Sequence, residues 1–315
     1  MKTITRTLTL RSEGHFGQRV PPQAFGEILR TFPRLLRGSV RMSFEGRSAA
    51  RGRRPRWLEA ASDVRFVDHG GDDETVLYFE TPMIGEAAAE LYEQQEFWPS
   101  RPDPEDTPFD LLADVVEDVR SGLSDSDRFD RPLLKKLHEM GRGLNGTFQS
   151  CMVSSRRYSD DRPATVDRTV VTSADQLTRS TPQPRQIRIA GLLDMIRAST
   201  NTIGVKLENG QEIRGVLVDG DATQIHDLLN EKVTLLGKAI YRPSGNLLRV
   251  DVAEVRSMRD EDAFFTQVPT PQRAAKDREV VMDQHRRTSN IAAIIGRWPG
   301  DETDAEIERA LQELS

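Results

Sequence analysis

Ile203-Gly204-Val205-Lys206-Leu207-Glu208-Asn209-Gly210-Gln211-Glu212-Ile213-Arg214-Gly215-Val216-Leu217-Val218 decides the fold of the second half of the chain. Ile203, Val205 and Leu207 alternate with polar or small residues, the period of a half-buried strand. Ile213, Val216 and Val218 resume the apolar pattern after Asn209-Gly210. A two-residue hairpin turn needs positive φ at both central positions, which Asn and Gly supply at least cost. The stretch therefore predicts two antiparallel strands joined by a tight turn.

Further strands flank this hairpin. Ile187 to Ile196 reads as a long strand with Gly191 as a bulge, because a glycine inside a strand marks a close approach or an irregularity. Asp221 opens a short helix through Ile225, Leu228 and Leu229. Val233 to Ile240 reads as a strand with Gly237 as a bend. Pro243-Ser244-Gly245-Asn246 then turns the chain into Leu247 to Val255. The order strand, strand, strand, helix, strand, strand over residues 185–258 resembles the OB-fold, a five-stranded barrel. A small SH3-like barrel is the competing architecture.

Residues 1–158 read as an α+β domain. Thr3 to Leu10 is a strand. Ala24 to Leu36 has helical spacing, with Phe25, Ile28, Leu29, Phe32, Leu35 and Leu36 on one stripe and Pro33 as a bend or break. Val40, Met42 and Phe44 alternate as a strand, and Val64, Phe66 and Val76 to Phe79 suggest two more. Between these last two, Asp68 to Asp73 reads as a turn. Thr107-Pro108-Phe109-Asp110 opens a helix with a cap, a first-turn proline and an acid at the positive end of the dipole. Asp130 caps a second helix carrying Leu133, Leu134, Leu137 and Met140, ended by Gly141. Phe148 to Val153 is strand-like. Residues 159–184, polar and ending Thr181-Pro182-Gln183-Pro184, read as a linker. The whole chain is thus expected to be an α+β domain, a linker, an OB-like barrel, and a polar link with a helical tail over 259–315.

The chain has 315 residues, 44 Lys+Arg against 50 Asp+Glu, and a net charge of −6. That balance argues against a uniformly basic nucleic-acid coat. No apolar run reaches the ~18 residues of a membrane span, and the N-terminus lacks the apolar stretch of a signal peptide. With one cysteine, Cys151, there is no basis for a disulfide framework or a Cys-rich zinc site. A reducing cytoplasm is the expected compartment. His15, His69, His138, His226 and His285 show no metal-ligand spacing; Asp68-His69 with Asp72 and Asp73 reads as turn chemistry. No nucleophile elbow, P-loop or dinucleotide fingerprint is present. Cys151 reads as a small buried hydrophobe. No catalytic residue, metal or cofactor is assigned.

Two segments carry partner chemistry. Arg47, Arg51, Arg53, Arg54 and Arg56 fall within ten residues that hold no acid. Arginines pair with phosphates in a bidentate way, so this loop and the barrel point to nucleic-acid binding as one function. Residues 103–130 carry ten acids and two bases, and mutual neutralisation with the loop, or a loop whose arginines are simply solvated, is the simpler expectation. The barrel segment, with 10 basic and 9 acidic residues and Tyr241 as its one aromatic, reads more as a structural or protein-contact module.

The second segment is the tail. Ile291, Ile294 and Ile295 form a short apolar helix stopped by Gly296, followed by Trp298-Pro299-Gly300-Asp301. Thr303-x-x-Glu306 is a capping box, and Ile307, Ala310, Leu311 and Leu314 share one helical face. Residues 299–315 carry six acids and one base. A short isolated helix is marginal in water, so its apolar face must dock. The run Ile294-Ile295-Gly296-Arg297-Trp298-Pro299-Gly300-Asp301-Glu302-Thr303-Asp304-Ala305-Glu306-Ile307 resembles the tails of bacterial type II antitoxins encoded beside PIN-domain ribonuclease toxins. The resemblance covers about 30 residues. The rest of the chain reads as a bacterial family longer than a usual antitoxin, without a ribbon-helix-helix or AbrB-like N-terminus. What the resemblance implies is a non-enzymatic protein-interaction role, toxin binding through Ile291, Ile294, Ile295, Trp298, Ile307, Leu311 and Leu314.

Overall fold

The longest helix, α1 (Pro22–Glu45), begins with Pro22 at its first position and ends at Gly46, whose φ of 70° lets its N–H bond back to the Met42 carbonyl. Its first half is amphipathic, with Ile28, Phe32, Leu35 and Leu36 buried. It runs through Pro33 without interruption and includes Val40, Met42 and Phe44, for which the alternation predicts a strand. The reason is burial on every side: from Gly38 to Glu45 only Ser43 is not fully buried. Its polar residues Ser39, Arg41, Ser43 and Glu45 alternate with Val40, Met42 and Phe44, and Arg41 and Glu45 are buried as a pair, so a strand-like alternation is accommodated in a helix.

The computed structural model describes residues 2–92, 102–144, 146–159, 162–218, 222–269 and 271. Residues 1–271 form one compact unit and 272–315 a second, which lies outside the described residues. The observed architecture is mixed α+β with a closed five-stranded barrel.

A five-stranded antiparallel sheet underlies the N-terminal body. Its strands are β1 (Thr3–Arg11), β2 (Arg65–Gly70), β3 (Thr75–Pro82), β4 (Ser150–Val153) and β5 (Ala164–Val166), in the order β2-β3-β1-β4-β5. Leu8, Leu10, Leu77, Phe79, Cys151, Val153 and Val166 are buried in one core with the helices α1, α4 (Pro108–Arg120), α5 (Arg131–Leu144) and α6 (Arg168–Ser180). Phe32 lies at the centre, its ring 5.7 Å from Phe79 and 5.3 Å from Phe109. A satellite core joins Val40 and Phe44 to Trp57 and Leu58 of α2 (Arg56–Ala61) and Ile84 of α3 (Ile84–Ala87).

Thr107 caps α4 as expected, and Asp110 completes a capping box with it. Asp130 caps α5 as expected, its Oδ1 accepting from the Leu133 N–H at 3.2 Å. Gly141 does not end α5, which continues to Leu144; a Cβ there would lie 2.0 Å from the Val171 Cγ2. The glycine is needed for close packing against α6. Residues 159–184, expected as a linker, instead hold β5 and α6. Val170, Val171, Ala174 and Leu177 of α6 enter the body core, and Asp167 caps the helix by accepting from the Val170 N–H. The stripe is spaced at one, three and three residues, which a polar, threonine-rich context obscures.

The barrel contains β6 (Arg185–Arg197), β7 (Thr202–Lys206), β8 (Glu212–Leu217), β9 (Lys232–Tyr241) and β10 (Leu247–Ser257). Strands β6, β7 and β8 form an antiparallel meander, β8 pairs parallel with β10, and β9 closes the barrel between β10 and β6. Asn209-Gly210 lies at the turn as expected, but only Gly210 has positive φ, at +81°. The Leu207 N–H bonds to the Gln211 carbonyl at 2.8 Å and the Gly210 N–H to the Leu207 carbonyl at 2.9 Å, so the loop has three residues, Glu208 to Gly210, rather than two. Between β8 and β9, where the apolar spacing predicts a short helix, lies a 3₁₀ helix over Ala222–Leu228. Ile189, Leu193, Ile203, Val205, Leu235 and Val250 fill the interior. The barrel is not separate from the body, since Leu248 belongs to the body core. Among the described residues no helix is long and apolar enough to cross a membrane.

Candidate nucleic-acid interface

Arg30, Arg34, Arg37 and Arg41 recur along α1 at steps of four, three and four, which places them on one helical face. The two ends of this stripe are neutralised. Arg30 donates to Glu27 at 2.6 and 3.0 Å. Arg41 donates to Glu45 at 2.9 Å, and Glu45, almost fully buried, also accepts from Arg47 at 2.6 Å. The middle is not neutralised. Arg37 reaches only the Ser62 hydroxyl, at 3.4 Å, and Arg34 is exposed.

The helix α5 adds a further cation. Gly38 of α1 is buried against it, and a Cβ there would lie 2.9 Å from Leu133 Cδ1 and 3.7 Å from Lys136 Nζ. The missing side chain brings the half-buried Lys136 beside the arginine stripe. Burial holds the Lys136 ammonium below its ordinary pKa; Asp130 opposes this, and Arg37, Arg34 and Arg41 add to it. Burial likewise lowers Arg37, reinforced by Arg54 and Arg34 against the weaker pull of Glu59. These mutual effects place Arg34, Arg37, Arg54 and Lys136 in one electrostatic neighbourhood.

The loop between α1 and α2 supplies the rest. Its first residues are fixed: Ser48 donates to Asp130 through its N–H at 3.0 Å and its hydroxyl at 2.5 Å. Its last residue runs into α2, whose Trp57 and Leu58 are buried. Arg51, Arg53, Arg54 and Arg56 between these anchors are exposed. Neither they nor Arg34, Arg37 and Lys136 form an ion pair with any described residue. Arg47 alone of the five loop arginines is turned inward.

The expected neutralisation of this loop by residues 103–130 does not occur. Arg156 pairs with Asp103, Glu105 and Asp106, and Arg157 with Asp106 and Asp114. Arg128 pairs with Asp118, Arg242 with Asp125, and Arg249 with Asp130. The acids are engaged by other arginines, which sequence proximity could not show. The stripe on α1 is legible in its spacing but is masked by the apolar pattern it interleaves; Lys136 is joined to it only by tertiary packing.

Four of the barrel arginines, Arg188, Arg242, Arg249 and Arg256, are paired with acids. Arg188 and Arg256 both pair with Asp262, and the Arg188 guanidinium lies 4.9 Å from the Phe265 ring centre. Arg249 is buried, donating to the Gly46 carbonyl at 2.8 Å, to Asp130 at 3.3 Å and to Asp251 at 2.7 Å. The loop between β9 and β10 is docked on the body: Ser244 and Asn246 donate to Asp125 at 2.7 and 2.9 Å. Tyr241 is buried. A cavity of about 500 Å³ is lined by Gln211, Tyr241, Arg242, Asn246, Leu247 and Pro269, of which Arg242 and Asn246 are engaged by Asp125.

Among the described residues no three His, Cys, Asp or Glu side chains converge as a metal site. His69 sits against the Phe25 ring and within 3.2 Å of the Gln18 carbonyl. Burial pushes the Cys151 thiol up to about 12. The tail residues Ile291, Ile294, Ile295, Trp298, Ile307, Leu311 and Leu314 lie outside the described residues. Compared with family models, curated proteins and solved structures, the chain matches none.

Proposed function

We propose that this protein is a non-enzymatic nucleic-acid-binding protein that holds the phosphate backbone through a cationic face on its N-terminal body. Arg34, Arg37, Arg54 and Lys136 form its centre, and Arg51, Arg53 and Arg56 extend it. The observation that carries this reading is the concentration of cations without carboxylate partners among the described residues, on two packed helices and one anchored loop, in a chain of net charge −6. Arg37 and Lys136 are half-buried, and a cation partly withdrawn from water gains most from an anionic partner.

The strand order of the barrel, with its third and fifth strands parallel, supports the OB-like reading. Its fourth-to-fifth-strand loop and Arg249 are engaged by the body, and it lacks an exposed aromatic. The barrel therefore serves as the support of the cationic face rather than as the binding groove.

Fluorescence anisotropy with labelled oligonucleotides tests the proposal. The full chain is expected to bind at low salt, with log affinity falling linearly in log salt. In R34A/R37A/K136A the slope should fall by about one for each phosphate that the variant no longer neutralises. An unaltered slope with unchanged affinity, or no binding near 50 mM salt, would end this reading.

The tail supports a second partner. Its apolar stripe and Trp298 favour docking on another protein, an antitoxin-like role toward a PIN-type ribonuclease. Co-purification with a PIN-type protein encoded next to it, abolished by deletion of 285–315, is the expected result; a full chain that does not retain such a protein would count against the role.

A further inference from the structure

The cationic face has a second component whose shape differs from the helical stripe. The segment Arg51-Gly52-Arg53 is a thin tip: Gly52 has φ +89°, and no heavy atom lies within 4 Å of the position its Cβ would take. An arginine stands on each side of it. The tip is held from behind by Ser48 on Asp130, by Gly46 against Arg214 and Arg249, and by the buried Trp57. It is therefore a narrow, charged projection with a fixed base.

Three observations limit what it can meet. The nearby aromatics Phe32, Phe44 and Trp57 are buried and Tyr92, packed on Phe44, is partly buried, so among the described residues the face shows no exposed platform on which unpaired bases could stack. Residues 47–56 contain no Asn, Gln, Asp or Glu, the side chains besides arginine that make paired contacts with base edges in the major groove. The tip is a single chain around a glycine, whereas the major groove is filled by a helix or a two-stranded ribbon. A minor groove about 6 Å wide is the space that admits such a chain, and its negative potential is deepest where A·T tracts narrow it.

We propose that the Arg51-Gly52-Arg53 tip enters the minor groove of A·T-rich double-stranded DNA while Arg34, Arg37 and Lys136 ride the adjacent backbone. This rests on the phosphate-binding reading above. Arginine inserted in a narrowed groove supplies a preference for sequence without any base-edge code, and the stripe fixes the register of the protein on the duplex.

Anisotropy titrations of the full chain against three probes of equal length test it: an A·T-rich duplex, a G·C-rich duplex and a mixed-sequence single strand. The A·T-rich duplex is expected to bind about tenfold tighter than either of the others. A minor-groove ligand of the netropsin type should compete on that duplex. R51A/R53A is expected to lose the A·T preference and retain salt-dependent binding through the stripe. Because the tip is exposed, circular dichroism of that variant should match the parent. Equal affinity for the two duplexes, tighter binding of the single strand, or an A·T preference that survives R51A/R53A would each overturn the inference and leave the backbone reading standing. Absence of binding to all three probes at low salt would instead overturn the backbone reading itself.

Discussion

Gly141 shows how a single hydrogen atom in place of a methyl group fixes the packing of α5 on α6. In a helix interior, alanine is favoured over glycine by up to about 1 kcal/mol. Here a Cβ would lie 2.0 Å from a methyl of Val171, whose β-branched side chain has little freedom to turn away. Overpacking of this kind costs about 1–3 kcal/mol, so the clash wins over propensity. Gly141→Ala is expected to lower the urea midpoint, and Val171→Ala in the same chain to restore part of it; a single variant as stable as the parent would contradict the argument. From sequence this glycine reads as a helix stop. The same letters Met140-Gly141 serve a C-cap or a close crossing, and only the partner helix distinguishes them. Asn209-Gly210 is readable because its turn is local and needs no partner.

At the scale of elements, Asp110 ties α4 to the segment after β4. Asp110, fully buried, accepts from the Thr107 N–H and hydroxyl at 2.8 and 2.7 Å, from the Ser155 hydroxyl at 2.7 Å and from the Arg156 N–H at 2.7 Å. Burial alone would raise its pKa, but these donors outweigh it and hold the carboxyl below its ordinary range. A depressed folded-state pKa contributes stability that is present above the unfolded value, near 4, and is lost as pH falls through the folded value. Unfolding free energy of the parent is thus expected to fall on acidification below about pH 4, and this part of the fall should be absent in Asp110→Asn. At neutral pH Asp110→Ala should cost about 3 kcal/mol, because several buried donors lose their acceptor. A parent and Asp110→Asn with parallel acid profiles would contradict this. The capping half of this arrangement is legible in Thr107-Pro108-Phe109-Asp110; the ties to Ser155 and Arg156 are not, since they join residues 45 and 46 positions apart. Helix α6 escapes a sequence reading for a related reason, its short apolar stripe lying among threonines and serines that suit a loop equally well.

For the molecule as a whole, the seam between body and barrel is ionic as well as apolar. Arg249 of β10 bridges Asp130, Asp251 and the end of α1, while Leu248 beside it enters the body core. Removing one partner from a buried pair costs about 3–5 kcal/mol. Body and barrel are therefore expected to unfold in one calorimetric transition, and Arg249→Ala to shift it to lower temperature or split it in two. Two separated transitions in the parent chain would show that the seam does not couple them. The five barrel strands are each legible from alternation and turn residues. Their docking is not, because its participants, Gly46, Asp125, Asp130 and Arg249, are scattered over two hundred positions and none belongs to a periodic pattern.

Gly46 closes α1, gives its carbonyl to Arg249 and stands two residues before the serine that anchors the arginine loop. The latest-made strand of the barrel thus abuts the hinge point of a loop synthesised two hundred residues earlier. A ribosome-bound chain that ends before β10 has its arginine loop without that abutment, so the aim of the loop is completed only when the barrel closes.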